Sequence, residues 1–162
     1  MISISFRQNN KSLIADINIG KIKKTPGQRK KHISQMTSNE ISFLVYKIQH
    51  LDKIIYSNHL LKKHIAFNEK TILKTLKSSN LKNCIIEYNE TPSKDFLDRR
   101  VLIRSEIAEN VLINNNNYEL CNLCFVLSIV SKKVITVYYN KSNDNHTSLN
   151  LNRYDNTLKI IY

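Results

Sequence analysis

The sequence predicts an α+β protein in which N-terminal helices pack on one face of a twisted antiparallel sheet of about four strands. A small hairpin and a basic arm precede them. Three observations predict this class. Apolar residues recur at helical spacing between residues 37 and 79, the period shortens to that of strands after Asn80, and polar, turn-sized segments separate the strand-like runs. The chain divides into residues 1–36, the hairpin and arm, and residues 37–162, a single α+β domain. With 162 residues, 41% of them hydrophobic, it has enough apolar material for one core.

In order, residues 2–6 and 13–19 carry alternating or short apolar runs around Gln8-Asn-Asn-Lys11, the pattern of a hairpin. Residues 20–32 follow with a Pro-Gly turn, many cations and almost no apolar content, which predicts an exposed connector. Thr37-Ser-Asn-Glu40 has the spacing of a capping box, where the Thr hydroxyl and Glu carboxylate reciprocally satisfy free amides. Ile41, Leu44, Val45, Ile48 and Leu51 then form one apolar helical face. A second helical region, 58–79, breaks near Phe67-Asn68, where Asn68 caps a helix bearing Ile72, Leu73 and Leu76. Residues 84–88, 99–104, 118–130 and 134–139 are rich in β-branched and aromatic side chains and read as strands, with a last short one at 158–162.

Net charge is the most informative part of the composition. Residues 1–82 hold 16 Lys/Arg against 4 Asp/Glu, residues 83–162 hold 9 against 9, and the whole excess of +12 lies in the first half. A one-sided excess is the footprint of a polyanionic partner, so RNA is the expected partner, tRNA among the RNAs considered. No basic amphipathic helix carries the aromatic and leucine face that membrane-surface binding uses, so no membrane partner is expected. Apolar runs fall short of a membrane span, and the N-terminus alternates where a signal peptide would be continuously apolar; a cytoplasmic location is expected. Three cysteines, Cys84, Cys121 and Cys124, make an odd inventory for disulfides. Cys121-Asn-Leu-Cys124 has half-zinc-site spacing without a second pair, so the reading is buried thiols, with no metal or other cofactor.

From Ser57 onward the order of elements resembles the barnase–EndoU–colicin–RelE superfamily of small ribonuclease toxin domains. The residues that carry the resemblance are Ser57-Asn-His59 and Lys62-Lys63-His64 on a helix, a second helix from Phe67, the strand Ile85-Ile-Glu-Tyr88, and the doubly basic Asp98-Arg-Arg-Val-Leu-Ile-Arg104. Phe125-Val-Leu-Ser-Ile129, Val134-Ile-Thr-Val-Tyr-Tyr-Asn140 and Asp144-Asn-His146 complete it. Where many such domains have Arg four residues after the helical His, Lys63 stands. The resemblance implies a toxin-like, metal-independent endoribonuclease acting by internal 2′-hydroxyl transfer, with an antitoxin or immunity protein as a possible partner. It further implies His59 as general acid or base, Arg100 and Arg104 on the transferring phosphate, and Thr136 and Tyr138 positioning substrate.

The same residues suit that chemistry on their own terms. Histidine alone has an ordinary pKa that serves either proton role near neutrality. Arg100 and Arg104, four apart on a strand, share one face with Leu102, while Val101 and Ile103 face the core. Thr136, Tyr138 and Asn140 share a face in the same way. Candidate RNA contacts are Lys23, Lys24, Arg29, Lys30, Lys31, Lys62, Lys63, Asn140 and His146. Each has a plainer reading. Arg100 and Arg104 equally suit pairing with Glu87, Asp98 or Glu106, His59 and His146 suit a solvated surface, and Tyr138 suits ordinary strand packing. Two further functions stay open: a non-catalytic nucleic-acid- or protein-binding regulator from a phage or mobile element, and a binder of an acidic protein surface.

Overall fold

A computed structural model describes residues 29–62, 67–114, 116–144 and 150–160. The expected hairpin at 2–6 and 13–19, together with Lys23, Lys24, Lys63, His64 and His146, lies outside the described residues.

The expected sheet of about four strands is corrected to one that has seven strands among the described residues and dominates the fold. Its strands are β1 Arg29–His32, β2 Ile55–Tyr56, β3 Ile85–Pro92, β4 Leu97–Arg104, β5 Glu109–Asn114, β6 Asn117–Ser128 and β7 Lys133–Lys141. The order is β1-β3-β4-β6-β7-β2, with β5 also paired to β6. Every pairing is antiparallel except β2 with β7. Three strands fall where no strand was expected. β1 comes from the basic connector, β2 is a two-residue parallel edge, and β5 fills the gap after Arg104. Residues 158–160, expected in a last strand, form none.

Four α-helices are present among the described residues: α1 Ser38–Gln49, α2 Asn58–Lys62, α3 Glu69–Lys77 and α4 Leu81–Cys84. The starts follow local chemistry. Thr37 Oγ1 accepts from the Glu40 N–H at 3.1 Å while Glu40 Oε1 accepts from the Thr37 N–H at 2.9 Å. Asn68 caps α3 through the Thr71 N–H. Both devices satisfy amides that a helix start leaves without partners.

Strand alternation gives the sheet two faces. Tyr88, Val101, Ile103, Leu123, Phe125, Leu127 and Val137 join Leu44, Ile48, Leu60, Ile72, Leu76 and Leu81 of the helices in one core. Burying each large side chain contributes about 1.5–3 kcal/mol. Leu158 and Ile160 of the C-terminal segment complete that core. The second face carries Arg100, Leu102 and Arg104 of β4, Asn122, Cys124, Val126 and Ser128 of β6, and Thr136, Tyr138 and Asn140 of β7. No helix among the described residues is long and apolar enough to cross a membrane.

Candidate functional site

The cations expected in an exposed arm are used inside the fold wherever they are described. Arg29 Nε lies 3.2 Å from Asp155 Oδ2. Lys30 is buried, with its ammonium 4.5 Å from the centre of the Tyr154 ring. Lys31 is buried against Glu40 and the Leu158 carbonyl. Pairing of β1 with β3 draws these residues inward, so the connector reading is corrected for 29–32. Their charge is largely spent on internal partners.

The second face does assemble several of the expected side chains. Arg104 stands opposite Cys124, and Cys124 opposite Tyr138, so the three form one row across β4, β6 and β7. The next row is Asn122 and Asn140, and on the other side Leu102, Val126 and Thr136 align. Neighbouring strands lie ~4.8 Å apart, which puts the Arg104 and Tyr138 backbones ~10 Å from each other. Arg104 Nη2 donates to Asn122 Oδ1 and to the Lys141 carbonyl, each at 3.1 Å, while its buried Nε has no hydrogen-bond partner. Arg100 has a nearer claim: its Nε lies 2.6 Å from Asp98 Oδ2, and Asp98 in turn accepts from Ser128 Oγ. Of the two readings of Arg100, the structure realises the ion pair with Asp98. Thr136 is buried, and Asn140 is half-buried.

The row holds no activated nucleophile. Burial pushes the Cys124 thiol up to about 11, against the opposing influence of Arg104 and of a hydrogen bond from Tyr138. At neutral pH it is a thiol. Cys84 and Cys121 are raised by burial as well, the former also by Glu106 and the latter by Glu119. Cys121 and Cys124 sit three apart on a strand and so point to opposite faces, which precludes joint chelation. Among the described residues no group of three or more His, Cys, Asp or Glu could hold a metal ion.

His59 stands apart from this row. It is exposed on α2, whose Leu60 enters the core on the helical side, whereas Arg104 and Tyr138 belong to the other face. The sheet itself therefore lies between the histidine and the residues it was expected to join. His50 stacks on Tyr46 with ring centres 3.9 Å apart, and His32 Nδ1 lies 2.8 Å from Ser34 Oγ.

Of the lysines in the helical layer, the sequence reading named Lys62 and Lys63 and passed over Lys70, Lys74, Lys77 and Lys82. Between residues 41 and 84 stand eight lysines against Asp52 and Glu69. Lys62, Lys70, Lys74, Lys77 and Lys82 are exposed and make no ion pair among the described residues. Lys70, Lys74 and Lys77 follow the i, i+4, i+7 spacing that lines one side of α3, opposite the buried Ile72, Thr75 and Leu76. That periodicity was the signal available in the sequence. Lys74 also borders a cleft of about 220 Å³ between α3 and residues 105–109, where Glu109 Oε1 accepts from Asn68 and Thr71.

Neither a known protein family, nor a curated protein, nor a solved structure matches the chain.

Proposed function

We propose that this protein is a non-catalytic RNA-binding module whose contact surface is the lysine-bearing layer of α2, α3 and α4. The observation that carries the reading is the exposed stripe Lys70, Lys74 and Lys77, flanked in sequence by Lys62 and Lys82, with no carboxylate paired to any of them among the described residues. Flexible, unpaired lysines at a surface attract phosphate by releasing condensed counterions, and they demand no particular base sequence. Glu40 and Asp52, two of the acids near this layer, are already paired, with Lys31 and Lys132.

A second reading, metal-independent endoribonuclease, draws on the row Arg104–Cys124–Tyr138, where a guanidinium and a phenol share one face. Its weakness is the proton transfer. Internal 2′-hydroxyl transfer needs a base and an acid at the phosphate, and the helix that bears His59 packs on the opposite side of the sheet from that row.

One experiment separates the two. Purified protein is titrated against fluorescent single-stranded RNA by anisotropy, and the same mixtures are then held in excess chelator and their RNA resolved on a gel. The binder reading expects saturable, salt-sensitive binding and intact RNA. RNA fragments formed at a rate that His59→Ala or Arg104→Ala abolishes would favour the endoribonuclease. Absence of binding at low salt would refute both.

A further inference from the structure

The ribbon made by β5 and the first half of β6 runs beyond the rest of the sheet. β4 ends its pairing with β6 at Cys124 and β7 ends at Cys121, so residues 117–120 of β6 have β5 as their only strand neighbour among the described residues. β5 in turn pairs with no described strand but β6. Two-stranded ribbons are marginal in water. This one also exposes its apolar side chains: Leu112 is 51%, Leu120 52% and Tyr118 68% exposed, with Leu112 directly opposite Tyr118.

Charge indicates what such a surface accepts. From Ser105 to Ser131 there is no Lys or Arg, in a chain that has 25 of them, and Glu106, Glu109 and Glu119 stand there instead. A polyanion is therefore the wrong occupant. An edge strand left this apolar, with no Lys or Pro to blunt it, is a template for another strand. The strand itself says which one. Residues 110–114 read Asn110-Val-Leu-Ile-Asn114, and the pattern is the same in both directions about Leu112. Antiparallel pairing with a copy, on a two-fold axis at Leu112, would set Leu112 against Leu112, Val111 against Ile113 and Asn110 against Asn114. Apolar residues meet apolar ones, and the two Glu109 carboxylates lie at opposite ends. A two-fold contact requires just this self-complementarity.

We propose that the chain forms a two-fold dimer in which the β5 edges of two copies pair antiparallel and join the two sheets. The ribbon then acquires a third and a fourth strand, and its exposed side chains acquire apolar neighbours.

The test uses the full-length chain. Light scattering coupled to gel filtration, from low to high micromolar concentration, should give twice the chain mass of 18.9 kDa. Leu112→Lys places a cation against its own copy and should return the mass to that of one chain, with an unchanged circular dichroism spectrum. Lys77→Glu, on the helical layer, should leave the dimer intact. Leu112→Cys should crosslink to its copy on oxidation, since directly opposed residues lie ~4.5–5.5 Å apart between Cα atoms, within disulfide reach. The native cysteines, all buried, should not compete. A parent that stays monomeric throughout would overturn the proposal. So would an open-ended ladder of larger species, which signals head-to-tail contact, or a dimer that survives Leu112→Lys.

Discussion

The Lys31 ammonium lies 2.8 Å from Oε1 of Glu40, and the two side chains are only 6% and 4% exposed. Lys31 also donates to the Leu158 carbonyl, while Glu40 accepts from the backbone N–H groups of Thr37 and Ile160. One buried carboxylate thus ties together strand β1, the start of α1 and the C-terminal segment. Removing one partner of such a pair strands the other charge in the interior. Lys31→Met should cost about 3–5 kcal/mol, whereas the double variant Lys31→Met, Glu40→Leu should recover much of the loss. Urea denaturation of both variants and the parent measures this. A loss under ~1 kcal/mol, the range of surface pairs, would mean the pair is not buried as described.

The same carboxylate sets a pH dependence. Burial alone would raise the Glu40 pKa. Hydrogen bonds from Lys31, from the Thr37 and Ile160 backbones, and the charge of Lys31 outweigh it, so the folded value lies below the ordinary one. A carboxyl depressed in the folded state contributes stability that is fully present above its unfolded pKa. That contribution is lost as pH falls through the folded value. The urea midpoint should therefore decline on acidification through and below the ordinary glutamate range. Glu40→Gln should show a shallower decline over that window, and an equal slope in the two proteins would contradict the assignment.

Lysine reversal should distinguish surface charge from structural charge. Lys70→Glu, Lys74→Glu and Lys77→Glu should each leave the fold intact and weaken RNA binding alike for all sequences. The slope of log affinity against log salt should fall by roughly 0.7–1 for each phosphate that is no longer neutralised. Lys31→Glu should instead unfold the protein, because it opposes Glu40 in the interior. Should the α3 reversals leave the salt slope unchanged, the lysine stripe is not the binding surface.

The thiols should be slow to react. Cys84, Cys121 and Cys124 are buried, and burial holds each above its ordinary pKa, Cys124 at about 11. Since the thiolate is the reactive form, a thiol reagent at neutral pH should label native protein far more slowly than protein in urea. In urea three equivalents should react quickly. Rapid labelling of one native cysteine would place it at the surface.

What could be read from the chain was what neighbouring residues decide among themselves. The capping pair Thr37 and Glu40, the cap at Asn68, and the alternation that sends Arg100, Leu102 and Arg104 to one face and Val101 and Ile103 to the core are all contained within a few residues. A period of two or of 3.6 is a local property, and the sequence displays it directly. The row Arg104–Cys124–Tyr138 was half legible: the faces of β4 and β7 could be foreseen, but not Cys124 between them nor the register that aligns the three.

What only the tertiary structure decided were the long-range pairings. Nothing in Arg29-Lys-Lys-His32 has strand propensity; it is a strand because β3 offers it an edge and because Glu40, Tyr154 and Asp155 receive its cations. β5 is short, apolar without alternation and bounded by Asn, so its pairing with β6 rather than burial as a core segment is settled by contact and not by pattern. The same contacts turned the sheet from the expected four or so strands into seven among the described residues and drew Arg29, Lys30 and Lys31 onto internal partners. The sum of charges is a property of composition. Which of them face solvent depends on where the buried carboxylates lie, and that is known only when the chain has closed on itself.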